Sequence, residues 1–173
     1  MRNFRLLIFI SLFFLSFPAL AVSRDHLTEQ EAGLVADTQE LDKRIAVFIK
    51  AAERRFVLIA DPNAKQSEKD LEKFGPMPQG TRAELLSDIA KIIDESITNI
   101  ENVSDRDPSN PLINKSLRKL ADSCKTFLSQ LSPMLEKAKD EKEVHAIELA
   151  IENAQMVVDA AQKLPPPAKG KPK

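Results

Sequence analysis

The chain has a single cysteine, no tryptophan, no tyrosine, four glycines and two histidines. Each scarcity removes a class of protein. Small exported domains held by disulfides carry even sets of cysteines, so this fold must stand on packing. Cys124, centred in an apolar helical arc, reads as a small core residue. Platforms that stack sugars or bases use exposed aromatic rings. Beyond the first 21 residues the only aromatics are Phe48, Phe56, Phe74 and Phe127, which disfavours carbohydrate and single-strand readers. Four glycines leave little from which to build a phosphate-cradling loop, and neither Gly-x-Ser-x-Gly nor His-Glu-x-x-His occurs. A formal charge of −1 lacks the basic excess that nucleic-acid binding draws on.

The longest apolar run is at the start. Met1 to Arg5 is a short basic stretch, Leu6 to Phe17 is an apolar run with Ser11 and Ser16 as its only polar residues, Pro18 breaks it, and Ala19 and Ala21 place small residues ahead of Val22. This is the pattern of a signal peptide, 1–21, cleaved before Val22. The run of about 12 residues is short of the ~20 needed to span a bilayer, and no cysteine stands after the cleavage point to carry a lipid. The expected product is exported, periplasmic or secreted, with no stable membrane anchor. Loss of Arg2 and Arg5 brings its formal charge to about −3.

The remainder of the chain is helical in period. Thr81 and Glu84 form a capping box, after which Leu85, Leu86, Ile89, Ile92, Ile93, Ser96, Ile97, Ile100 and Val103 share one arc. Asn110-Pro111 opens another helix, whose apolar arc runs from Ile113 to Ala138 through Pro133, with the proline on the polar face. Asp140 and Glu143 read as a second box, leading into a 4-3 seam of Val144, Ile147, Ile151, Ala154, Val158 and Ala161. Asp37 and Glu40 read as a third, opening a helix that buries Leu41, Ile45, Phe48, Ile49, Ala52, Phe56 and Ile59. Thr28 and Glu31 begin a shorter helix, with a break expected near Asp37, although leucines spaced by seven also fit one longer helix. The expected fold is all-α: an up-down four-helix bundle with a short additional N-terminal helix, occupying 22–163. Residues 62–80 form a long polar loop with a turn or two of helix over 67–74, clipped down by Leu71 and Phe74, and are expected to be mobile. Residues 164–173 (LPPPAKGKPK) are a basic Pro/Lys-rich tail, expected to be disordered, that offers weak contact with anionic surfaces.

Candidate chemistry is thin. Glu141, His145, Glu148 and Glu152 form a ladder of metal-ligand types on one helical face. Di-iron bundles, however, draw a Glu-x-x-His pair from each of two helices, and the four long helices hold only one histidine between them. The ladder also lies beside the seam, so a solvated flank is the simpler reading. Haem attachment through Cys-x-x-Cys-His is absent, and a His145/Met134 axial pair is set aside because His145 should face outward. Asp105 to Asn110 superficially resembles a calcium loop, but it lacks the glycine at its sixth position and has Ser116 at the twelfth. Ser116-Leu-Arg-Lys119 matches Ser-x-x-Lys alone, without the partner motifs of penicillin-recognising enzymes. No cofactor and no catalytic residue is expected.

One feature exceeds the needs of a core. On the helix over 38–60, Val47, Ala51 and Leu58 form a second apolar stripe away from the main one, and Met156 falls opposite the last helix's seam. Such a surplus is covered either by the N-terminal helix or by another chain, a protein partner or a second copy. The expected function is a non-enzymatic exported binding protein acting through helix faces, with Val47, Ala51 and Leu58 as interaction residues. The alternative is a metal- or small-ligand-binding bundle using His145 and its neighbouring glutamates.

Overall fold

The computed structural model describes residues 24–166, and within them all regular structure is helical. Six helices succeed one another: α1 (Glu29–Asp37), α2 (Leu41–Ala60), α3 (Glu68–Phe74), α4 (Arg82–Arg106), α5 (Leu112–Leu135) and α6 (Glu141–Gln162). The proposed cleavage site at Ala19, Ala21 and Val22 lies outside the described residues, as does the tail from 167 onward.

Local sequence sets most of these boundaries. Thr28 and Thr81 each accept a hydrogen bond from the backbone of the third helical residue, while Glu31 and Glu84 reach back to the cap's own N–H. Asn110 Oδ1 accepts from Leu112 N at 2.9 Å at the start of α5, and Pro133 lies exposed within a helix that continues through it. The Asp37 box does not form. Asp37 is the last residue of α1, Thr38 donates its hydroxyl to the Leu34 carbonyl, and α2 begins behind Glu40 with no side-chain cap. The chain thus breaks into two helices here. At α6 the Asp140 side chain caps Glu143 N, but the Glu143 carboxylate turns to Lys139 N and to Arg82.

The four long helices share one core, in which Ile45, Phe48, Leu86, Ile89, Leu120, Cys124, Leu131, Ile147 and Ala154 are fully or nearly fully buried. α2 packs on α4 and α5, and α6 also packs on α4 and α5, whereas α2 and α6 make no close backbone approach. The consecutive helices α4 and α5 touch only narrowly, because each is engaged mainly with α2 and α6. Specific pairs fix the alignment. Phe56 stacks on Phe127 with ring centroids 5.0 Å apart, and Lys119 donates to the Asp42 carbonyl. Arg44 donates to Asn99, Asn153 Nδ2 donates to the Ala90 carbonyl at 3.0 Å, and Arg118 donates to the Pro165 carbonyl. Ser96, buried in the apolar arc of α4, satisfies its hydroxyl on the Ile92 carbonyl one turn back.

The buried face of α6 is rotated from the expected seam. Ile147, Ala154 and Val158 of that seam are buried, but Val144, Ile151 and Ala161 are only half-buried, and Glu143, Ala146, Ala150, Asn153 and Val157 are buried beside it. α6 wedges between two helices, and small residues let its backbone sit close to both. Leu71 does not clip α3 down, being half exposed; Phe74 alone does so.

Candidate functional site

At 100° per residue, Val47, Ala51, Arg54 and Leu58 fall within an arc of about 60° on α2, with Arg54 at one edge and Arg55 about 40° beyond the other. The second stripe therefore includes an arginine. Val47 and Ala51 are buried, Leu58 is half-buried against the core, and Arg54 and Arg55 are also buried. α1 packs on α2. Val47 and Ala51 thus present no free docking face, which corrects the expectation that they meet a partner chain. The surplus apolar surface is largely buried within the chain, on the helix that also holds two buried guanidinium groups.

Their counter-charge is Glu31. This residue has no exposed surface and is the one fully buried side chain of α1. Its two oxygens do different work. Oε2 accepts from Thr28 N at 2.9 Å and completes the helix cap, while Oε1 accepts from Arg54 Nη1 at 2.5 Å and from Arg55 Nη1 at 2.6 Å. One carboxylate thus faces two buried cations, and removing it leaves Arg54 without its paired anion and Arg55 with only the more distant Asp88.

The remaining Nη donors of each guanidinium go mainly to backbone carbonyls, while Nε of both arginines has no hydrogen-bond partner among the described residues. Arg54 donates to the carbonyls of Phe74 (3.0 Å), Gly75 (2.8 Å) and Pro76 (2.5 Å), and to Gln66 Oε1. It thereby ties down the end of α3 and the turn after it, satisfying carbonyls left free where the helix stops. Burial pulls the Arg54 pKa below its ordinary value, against the raising influence of Glu31. Arg55 donates to the Ala51 carbonyl at 2.9 Å and to the His26 carbonyl at 2.7 Å. Its Nε lies 3.6 Å from Asp88 on α4, whose carboxylate also accepts from Arg24. Burial raises the Asp88 pKa despite both arginines. His26 Nε2 sits 2.6 Å from Glu95 Oε2. Segment 24–37 is therefore fastened by Leu27 in the core and by a set of charged groups that reach α2 and α4.

One groove borders this cluster and a second lies apart from it. One, of about 490 Å³, runs between α2 and the 65–77 segment and is lined by Lys50, Arg54, Val57, Lys65, Asp70 and Met77. Val57 is 46% exposed there, and Lys50 pairs with Asp70 at 3.2 Å. The other, of about 400 Å³, lies along α4 and α6 under Ile97, Leu117 and the half-exposed Met156.

Glu141, His145, Glu148 and Glu152 all lie on the exposed face of α6. No three His, Cys, Asp or Glu side chains among the described residues come together to hold a metal. Cys124 is fully buried, and burial pushes its thiol pKa up to about 12. No described helix is long and apolar enough to cross a membrane.

Glu31, Arg54, Arg55 and Asp88 are not distinguished by sequence pattern. Glu31 already has a role in its capping box, and Asp88 falls on the polar side of α4. The available signal is Arg54 itself, a charge flanked by Ala51 and Leu58 on a stripe otherwise apolar. Searches against known protein families, curated proteins and solved structures found no match to the chain.

Proposed function

We propose that the chain is an exported, non-enzymatic binding protein built on an up-down four-helix bundle of α2, α4, α5 and α6, with α1 laid across it. The residue pairings support alternating helix directions. Phe56 with Phe127 and Asp42 with Lys119 run α2 alongside α5 in the same sense. Arg44 with Asn99 and Arg55 with Asp88 set α2 against α4. Arg82 with Glu143 and Ala90 with Asn153 run α4 alongside α6. Arg118 with Pro165 sets α5 against α6. Export rests on the sequence of residues 1–22 and would give a mature N-terminus at Val22.

The observation that carries the binding reading is the groove between α2 and the 65–77 segment. Its volume is in the range that holds a few side chains of a ligand. It combines apolar Val57 and Met77 with Lys50, Lys65 and Asp70, a surface suited to an amphipathic segment of another protein. The interaction face of α2 thus shifts from Val47 and Ala51 to the turn around Val57. The partner class is protein, with a second copy of the chain as the other outcome.

A photo-crosslinking residue at position 57 of the mature chain should capture one partner in the native compartment. That partner, once purified, should bind the Val57→Asp variant at least about tenfold more weakly, with helicity unchanged. Undiminished binding by Val57→Asp, or equal capture from exposed position 155 on α6, contradicts the assignment.

A further inference from the structure

We propose that residues 24–37 and 66–76 form one cover over α2 that opens and closes as a unit, held shut by the carboxylate of Glu31. The inference does not depend on what the neighbouring groove binds. It rests on what each segment contributes to its own attachment. In 24–37, Leu27 is the one apolar side chain buried in the core, Ala32 and Val35 are only half-buried, and the fully buried side chain of α1 is the charged Glu31. In α3, Leu71 is half exposed and Phe74 is the buried anchor. Neither segment matches the apolar burial that holds the four long helices together, and segments with few buried contacts open at lower free energy than a packed core.

What they have instead is a shared fastening. Arg54 Nη1 donates both to Glu31 Oε1 in α1 and to the Phe74 carbonyl at the end of α3. Its Nη2 takes the Gly75 and Pro76 carbonyls. If α1 lifts, Arg54 becomes a buried cation without its anion. The favourable response is to rehydrate, and that releases the three carbonyls. If the loop lifts first, the guanidinium loses those acceptors and gains access to water, which weakens its hold on Glu31. The two segments also touch directly. Gly75 has φ of +68°, and a Cβ placed there would come within 3.1 Å of the Gln30 side chain on α1. Glycine is required at this position both by the backbone conformation and by the close approach.

Native-state hydrogen exchange on the full chain, read by mass spectrometry, tests this. In the unmodified protein, amides of 30–37 and 70–77 should share one protection level, lower than that of 89–93 in α4. In Glu31→Gln, both segments should exchange faster together, by on the order of 100-fold, with the centres of α4, α5 and α6 unchanged. Gly75→Ala strains the contact from the loop side while leaving Glu31 intact, and it should accelerate 30–37 along with 70–77. This second variant and the unmodified protein decide the question if Glu31→Gln does not fold. Acceleration confined to one segment, or spread equally over all helices, overturns the proposal.

Discussion

Asp42 and Asp88 are both buried carboxylates at helix–helix contacts, and their surroundings drive them in opposite directions. Lys115 Nζ lies 2.5 Å from Asp42 Oδ2, and this hydrogen bond holds the Asp42 pKa below its ordinary value of 3.8, against the opposing effect of burial. Asp88 is raised, because burial outweighs Arg24 and Arg55. The signs are set by linkage. The lowered Asp42 contributes stability that is complete above the ordinary pKa and is lost as pH falls through the folded-state value. The raised Asp88 does the reverse, its ionised form becoming a cost as pH climbs through the folded-state value. Asp42→Asn should therefore cost about 1 kcal/mol at pH 7 by chemical denaturation, with the cost shrinking toward zero below about pH 3. A cost that does not change with pH would show that Lys115 contributes nothing through the charge.

The elements differ mainly in how they start. Thr28 and Thr81 close reciprocal boxes, Asp140 closes half of one, and Glu40 at the head of α2 makes no side-chain cap. Glu40 is instead paired on the surface with Lys43 at 2.6 Å, an exposed pair worth little. Glu40→Ser should raise stability by about 0.5–1 kcal/mol, measured by denaturant midpoint at constant m-value; a lower midpoint would contradict the cap assignment. The apolar arcs of α2, α4 and α5 are legible in the sequence because each has a wide stripe with period 3.6 and little competition. Asp37 misleads because its capping pattern is local, whereas the chain at 38–40 is shaped by Thr38 bonding back into α1 and by Arg44 Nε donating to the Thr38 carbonyl. The rotation of α6 is illegible for a different reason. Alanine carries almost no hydrophobic signal, so Ala146 and Ala150 cannot outweigh Ile151 until their packing partners are known.

At the scale of the whole molecule, the protein is a set of packed helices with an apolar core and a cover that joins two apolar anchors, Leu27 and Phe74, to a charged fastening. Sequence pattern reveals the first readily and the second poorly, since a buried arginine and a surface arginine are the same letter. Only their joint placement distinguishes Arg54 and Arg55 on α2 from Arg44: Glu31 arrives from 23 positions earlier in the chain than Arg54, and the Phe74 carbonyl from 20 later. The surplus stripe of Val47, Ala51 and Leu58 is visible in the sequence, and what covers it is not. The cluster is also the part of the molecule most exposed to single substitutions, because a buried ion with its partner removed costs more than the pair contributes. The most direct test of this organisation is a double-mutant cycle on Glu31→Gln and Arg54→Met, measured by equilibrium unfolding. Each single change should cost about 3 kcal/mol, and the double variant should cost less than their sum by at least about 1 kcal/mol. Effects that add to within about 0.5 kcal/mol would mean the two residues act independently, and the charge-fastened cover would be wrong.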